Sequence, residues 1–352
     1  MNESDRFRWQ APQAWLYAYD FARDSAQFLT LERSILQQSS FLDQRIATDA
    51  AHPAEVPIAE LLAGTHSDEN TEPPHFIFHT AFCCSTLFAR SLDWPGRSLV
   101  LREPATLLQL ADLRRRRTTS VRSETELLPL TLNLLIRPFT TGERTIIKPT
   151  NLANNLAPAL LGLHPASRAL LLYDELEPFL LSVLKRPRES ERGIQQFLAR
   201  FLADPVGHAW AATNPVPEEL AERAALAWTL QILELRAWLE STTRERVRVL
   251  TATELLADPV TVLQACAEWM DVALTRAEAS GIAAGPLWMR HAKYPSLAYT
   301  PARRREEQTL ARRLLDKPLH DGLDYARATF GIGTADFPFA LLPWQFPAKP
   351  GG

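Results

Sequence analysis

The sequence predicts an α/β protein of three layers, with a mostly parallel central sheet of about five strands between two layers of helices. Three observations predict it. Five short runs, 76–79, 97–101, 145–148, 169–172 and 247–251, read as buried strands. Segments with helical spacing separate them, which is the alternation that right-handed βαβ crossovers and a parallel sheet require. The first strand also runs through a turn of small residues directly into a helix. Flanking this core, a helical N-terminal extension is expected over 1–72. The α/β domain is expected over 73–285, and an irregular C-terminal extension packing on it over 286–352.

In chain order, Ala14–Ile35 carries Trp15, Leu16, Tyr19, Phe21, Phe28, Leu29, Leu31 and Ile35 without proline or glycine, so one or two helices are expected there. Pro73-Pro74 marks the entry to the first strand, Phe76–His79. Leu87, Phe88, Ser91 and Leu92 follow at helical spacing, and Pro95-Gly96 ends that helix. The second strand runs into Arg102-Glu103-Pro104 and a helix from Leu107. The four arginines Arg114–Arg117 are expected to be solvated. Thr125–Phe139 is helical, and the third strand ends in Lys148-Pro149-Thr150-Asn151. The fourth strand ends in Tyr173-Asp174-Glu175, followed by a helix from Leu176 to Arg186. Helices are expected at Gln195–Leu202 and Glu218–Glu240, the latter with Leu220, Trp228, Ile232, Leu235 and Leu239 on one stripe. The fifth strand leads through Thr253–Pro259 to a helix from Val260 to about Met270. Ala302–Leu315 and Leu319–Phe330 are helical in pattern, and the tail from Phe337 is expected to wrap the surface.

Composition bounds the function. With 352 residues, 46% of them hydrophobic, the chain can bury a large core. A net charge of −3 argues against a general nucleic-acid binder. Three cysteines, two of them adjacent, make no disulfide framework and point to a reducing compartment. The N-terminus has charges at Glu3, Asp5 and Arg6 and no apolar h-region, so no secretory signal is expected, and no run reaches the roughly 18 apolar residues of a membrane span. A soluble cytoplasmic protein is therefore expected.

A strand that passes through a small-residue turn into a helix aims backbone N–H groups and a positive helix end at one point, where phosphate or sulfate fits. Ser85 and Thr86 begin that helix, so their hydroxyls either cap it or hold an anion. The glycine- and lysine-containing NTPase form of the loop is absent, because neither residue occurs between Phe76 and Asp93. Ligands of open α/β sheets bind beyond the carboxyl ends of the strands. Those ends carry the Cys84-Ser85-Thr86 turn, Arg102-Glu103, Lys148, and Tyr173-Asp174 with Ser182 further on. If the topology brings these ends together, one anion-cradling turn, two cations and a carboxylate converge, a set suited to holding an anionic group and taking a proton from a hydroxyl.

The stretch from Phe76 to Leu92 resembles the 5′-phosphosulfate loop of sulfotransferases that use 3′-phosphoadenosine 5′-phosphosulfate (PAPS), a family whose loop reads Lys/Arg-Ser-Gly-Thr-Thr-Trp/Leu. On this chain Phe82 stands at the basic residue, Cys83 at the serine and Cys84 at the glycine. Ser85 and Thr86 stand at the two threonines, and Leu87 follows. Arg102-Glu103 lies where sugar-directed members carry Lys-Glu, and Lys148-Pro149-Thr150 is similar to their Lys-Ser/Thr-Pro segment. Leu170–Arg186 resembles the 3′-phosphate strand and helix, with Ser182 at the family's serine but Asp174 at its arginine. Arg246–Asp271, with Glu254-Leu-Leu-Ala-Asp-Pro259, resembles the family's Val-Leu-x-Tyr-Glu-Asp-Leu-x-x-Asp-Pro segment. The resemblance covers roughly 75–275.

What it implies is a P-loop-like sulfotransferase without a metal, moving a sulfuryl group from PAPS to an acceptor hydroxyl of unspecified identity. Glu103 would be the general base, with Lys148 beside the reaction and His79 as a back-up base, although His79 also reads as a core histidine. Phe82, Cys83, Cys84, Ser85, Thr86, Leu87, Arg102, Ser182, Lys185 and Arg186 would hold the donor. Ser182 also reads as a side chain bonded to the preceding helical turn. Arg90, Arg102, Lys148, Lys185 or Arg186 would have to replace the cations lost at Phe82 and Asp174. Arg290, His291 and Lys293 are the nearest counterpart of the family's C-terminal phosphate loop. With a Cβ at Cys84, the turn is expected to avoid positive φ there. Two other readings stay open: an NTP-dependent enzyme, because Asp174 ends its strand like a Walker B acid, and a non-catalytic anion-binding protein. A homodimer is also left open.

Overall fold

The structure is a computed structural model that describes residues 7–46, 53–65, 72–116, 122–241, 244–290, 296 and 298–332. Arg117, His291, Lys293 and the tail from Phe337 lie outside the described residues. The chain opens with β1 (Ala14–Asp20), β2 (Ser25–Thr30), α1 (Arg33–Gln38), β3 (Ala54–Pro57) and α2 (Ile58–Gly64). The core elements are β4 (His75–His79), α3 (Ser85–Ser91), β5 (Ser98–Arg102), α4 (Ala105–Arg116), α5 (Glu124–Leu135) and β6 (Arg144–Lys148). After a 3-10 turn at Asn151–Leu156 come α6 (Ala157–Leu163), β7 (Ala169–Tyr173), α7 (Leu176–Leu184), α8 (Pro187–Phe201), α9 (Pro205–Ala211) and α10 (Leu220–Ser241). The chain continues with β8 (Val247–Thr251), α11 (Ala252–Ala257), α12 (Pro259–Trp269), α13 (Arg276–Ala284), α14 (Pro301–Leu314) and α15 (Asp316–Phe330).

The five expected core strands form one sheet in the order β5-β6-β4-β7-β8. Its pairs run parallel, with Arg102 opposite Lys148 and Tyr173 opposite Thr251 at the carboxyl ends. Every residue of β4, β5 and β7 is buried, so both faces of the sheet are covered, the condition under which parallel strands read as continuous apolar runs. Capping chemistry fixes where helices begin. Thr251 and Glu254 form a reciprocal capping box at α11, and the Ser123 hydroxyl accepts from Glu126 N at α5.

The N-terminal expectation of helices over Ala14–Ile35 is corrected: β1, β2 and β3 make an antiparallel sheet in that order. Turn chemistry decides against the helix. The Asp20 carboxylate accepts from the backbone N–H of Ala22 (3.1 Å) and of Arg23 (3.2 Å), and Asp24 sits at φ +50°. An Asx turn followed by a left-handed residue reverses the chain where an apolar count alone suggests continuity. The exposed edge of β1 is closed by Gln109, which accepts from Tyr19 N and donates to Tyr19 O, both at 2.8 Å.

By contact, the chain divides into two compact units. The first comprises residues 1–77, 89–168 and 270–273, and holds the three-stranded sheet with β5, β6 and α4 to α6. The second comprises 78–88, 169–269 and 274–352, and holds the turn after β4, with β7, β8 and the helices from α7 onward, α15 packing along α10 and α7.

Candidate functional site

In the first unit, Glu103 and Lys148 meet at the ends of neighbouring strands. Lys148 Nζ donates to Glu103 Oε1 at 2.6 Å, and Glu103 N donates to Lys148 O at 2.7 Å. The lysine side chain is 1% exposed and the glutamate 15%. Glu103 adopts φ +57°, a left-handed conformation that a residue with a Cβ enters at a cost of ~1–2 kcal/mol. Its neighbours impose that geometry. Leu42 N donates to Arg102 O at 2.7 Å and Leu42 O accepts from Ala105 N at 3.2 Å, so one residue of the N-terminal segment ties down the chain on both sides of Glu103.

Arg102 does not reach the donor role expected of it. Its guanidinium is fully buried and donates to the carbonyls of Leu36, Gln37 (3.0 Å), Ser39 (2.9 and 3.0 Å) and Val100 (3.0 Å), and to Asp93 Oδ2 at 2.6 Å. Arg33 joins the same group, donating to Asp93 Oδ1 at 2.6 Å and Glu143 Oε1 at 3.0 Å. The reason is alternation along β5: Arg102 turns toward the C-terminal end of α1, whose carbonyls need donors. Arg90 is half-buried, and burial, with Arg102 second, lowers its pKa.

In the second unit, the turn after β4 has two residues in the left-handed region, Phe82 and Cys84, both at φ +63°. Cys84 therefore does not avoid positive φ as expected; the turn needs it to bring the chain into α3, and the strain is carried by a residue other than glycine. The Phe82 ring packs edge-on against Phe179 of α7, with centroids 5.6 Å apart. Cys83 is buried and its thiol donates to Thr80 O (2.8 Å) and Leu172 O (3.3 Å), the packing role. Ser85 and Thr86 are buried at the start of α3, Leu87 follows, and neither hydroxyl bonds to a described residue. His79 is buried with Nδ1 at 2.7 Å from Thr80 O, which is how a satisfied core histidine sits.

Asp174 and its surroundings carry the residue that the sequence did not reveal. The aspartate is 2% exposed; its Oδ1 accepts from Glu175 N at 3.2 Å, while Oδ2 has no hydrogen-bond partner among the described residues. Arg304 of α14 lies with Nη2 3.6 Å from that Oδ2 and donates through Nη1 to the Cys84 thiol. Burial pushes the Asp174 carboxyl up to about 6, against the pull of Arg304. Arg304 stays charged: Cys84 and Asp174 outweigh the burial that would lower its pKa. The signal was weak because Arg303-Arg304-Arg305 opens a helix like any solvated basic run, and only the central arginine is half-buried.

The remaining expected residues lie on or near α7. Ser182 Oγ donates to Pro178 O at 2.9 Å, the bond to the preceding turn. Lys185 has its pKa lowered by burial, with Glu307, Arg304 and Arg186 also acting on it. Arg186 is half-exposed, 3.7 Å from Glu189. Arg290 bridges to Ala298 in an isolated antiparallel pair. Among the described residues, no group of three or more His, Cys, Asp or Glu is placed to hold a metal ion.

No protein-family model matches the chain, and no curated protein does. Solved structures do show a likeness. The sulfotransferase domain from the curacin biosynthetic pathway is 13% identical, with 69% of this chain and 91% of that one aligned at a TM-score of 0.37. A sulfotransferase from Alicyclobacillus acidocaldarius is 15% identical over 73% and 95% of the two chains, TM-score 0.38. The sulfotransferase domain of the Synechococcus PCC 7002 olefin synthase is 12% identical over 71% and 97%, TM-score 0.37. At such identities the likeness says nothing of individual residues; what this chain is similar to, in its course alone, is a set of bacterial sulfotransferases.

Proposed function

We propose that the chain is a sulfotransferase that moves a sulfuryl group from PAPS to an acceptor hydroxyl, with Glu103 as general base. The observation that carries this reading is the Glu103–Lys148 pair, 2.6 Å apart at adjacent strand ends on a left-handed backbone. Residues other than glycine held in the left-handed region cluster at functional sites.

When bound, PAPS supplies the sulfuryl group on a phosphosulfate whose bridging oxygen leaves with the nucleotide. The residues present suit such a group: the Ser85 and Thr86 hydroxyls at the turn, and an under-committed guanidinium at Arg304. Glu103 takes the proton of the acceptor hydroxyl as its oxygen bonds to sulfur, and the bond from sulfur to the bridging oxygen breaks. Lys148 orients the Glu103 carboxylate and brings positive charge to the strand ends, where negative charge collects. Lys148 therefore serves in positioning and electrostatics, and His79, buried on β4, takes no part.

Transfer of label from radiolabelled PAPS to a panel of phenolic and sugar acceptors tests the reading. Glu103→Gln is expected to lose ~100-fold or more in rate while its affinity for PAP, the desulfated product, stays within a factor of about two. Turnover at the wild-type rate in that variant removes Glu103 as base. A second reading, an anion-binding protein without turnover, is favoured by Phe82, whose ring lies on Phe179 where a loop cation is expected. PAP binding without transfer to any acceptor in the panel selects it. The NTP-dependent reading loses support from Asp174, because Arg304 faces that carboxylate.

A further inference from the structure

The strongest clue outside the Glu103–Lys148 pair is a contrast between two buried arginines. Arg102 places its donors on five carbonyl contacts and one carboxylate. Arg304, with a side chain only 16% exposed, commits a single N–H among the described residues, to the sulfur of Cys84. Its carboxylate neighbour, Asp174 Oδ2, stands at 3.6 Å, beyond hydrogen-bond reach, and is itself without a donor. Apart from that contact, the N–H groups of this largely buried guanidinium are not shut away from solvent, so its fork is open to an acceptor-rich group. The helix does not ask for this charge. Arg304 lies at the end of the first turn of α14, where the helix dipole disfavours a cation and no acidic residue offsets it.

Resting on the donor reading above, we propose that Arg304 is the guanidinium that grips the anionic end of the sulfuryl donor at the turn 82–87, held ready by Asp174. Arg304 thereby replaces the cation missing at Phe82, arriving from a helix more than two hundred positions along the chain. Its present contact marks the spot: Cys84 is in the strained turn itself, between Phe82 and the first residue of α3. A planar fork suits two oxygens of one phosphate or sulfate, which a lysine ammonium cannot match. Asp174 positions the fork from behind without consuming its donors.

The test is isothermal titration of PAP into the full chain and its variants, with alkylation of Cys84 by iodoacetamide followed by mass spectrometry. A charge-assisted contact of this type is worth ~10–150-fold in affinity, so Arg304→Met is expected to weaken PAP binding by that factor. Arg304→Lys should recover part of the loss, because it restores charge without the fork. PAP is expected to change the alkylation rate of Cys84 in the wild type and to leave it unchanged in Arg304→Met. PAP bound equally by wild type and Arg304→Met overturns the assignment and leaves the sulfotransferase reading standing. Absence of PAP binding in the wild type overturns that reading instead. Inorganic pyrophosphate then decides Arg304: a Cys84 alkylation rate that pyrophosphate alters in the wild type but not in Arg304→Met upholds it, and no change in either overturns it. Should Arg304→Met unfold, the comparison of wild type with Arg304→Lys decides, equal affinities counting against the fork.

Discussion

Burial has set the Asp174 carboxyl at about 6, against an ordinary value of 3.8, with Arg304 pulling the other way. Below 3.8 the group is protonated whether the chain is folded or not. Between 3.8 and about 6 the folded chain keeps a proton that the unfolded chain has released. The stability linked to that proton is therefore present in acid and lost as pH rises through about 6. The difference of about two pH units corresponds to ~3 kcal/mol at most. Asp174→Asn is expected to be more stable than the wild type by ~1–3 kcal/mol near pH 8, with the gap closing near pH 4, as urea melts at the two pH values will show. The same change should weaken PAP binding, because the amide no longer holds Arg304. A stability gain coupled to a binding loss separates a functional aspartate from a structural one.

At the scale of elements, the turn after β4 and the end of β5 both carry left-handed residues, yet relieving them should have opposite results. Replacing either by glycine removes ~1–2 kcal/mol of backbone strain and returns ~0.5–1 kcal/mol to the unfolded chain's entropy. Glu103→Gly also strands Lys148, whose side chain is 1% exposed. Losing the partner of a buried charge costs ~3–5 kcal/mol, so this variant should be less stable by ~2–4 kcal/mol. Cys84→Gly takes the sulfur contact from Arg304, whose charge keeps Asp174 opposite it, and should be neutral or more stable by up to ~1 kcal/mol. Chemical denaturation of the two variants checks the signs, and a stabilised Glu103→Gly would mean that the Lys148 contact contributes little. Leu42, between α1 and β3, ties the chain on both sides of Glu103, a link that the sequence did not disclose.

Over the whole molecule, legibility followed the kind of signal each part carries. The five core strands and α10 were readable because covered parallel strands and long amphipathic helices leave uninterrupted periodic patterns. The hairpin of β1 and β2 was not, because its reversal depends on one aspartate side chain and a positive φ rather than on proline or glycine. The helix expected from Val260 is present as α12, but the stretch leading to it is itself helical, as α11; Pro259 starts the second helix, and Asp258 Oδ1 accepts from Thr261 N at 3.3 Å. That Glu103 and Lys148 lie close together was foreseeable, because both were read at strand ends. Arg102, on the same strand end, was misassigned because its neighbours arrive from α1, some sixty positions away in the chain. Arg304 was invisible for the same reason: a cation's role depends on the carboxylate and sulfur opposite it, and those lie far off in sequence.

Trp228 extends the reach of that site into spectroscopy. Its indole is 2% exposed and its Nε1 donates to the backbone carbonyl of Asp174 at 3.0 Å. A fluorophore wired to the peptide group of the carboxylate that backs Arg304 lies within the field of both charges. Neutralising the acid or filling the guanidinium fork alters that field, and with it the colour and yield of the indole's emission. The protein thus contains its own optical probe, readable without attaching a dye.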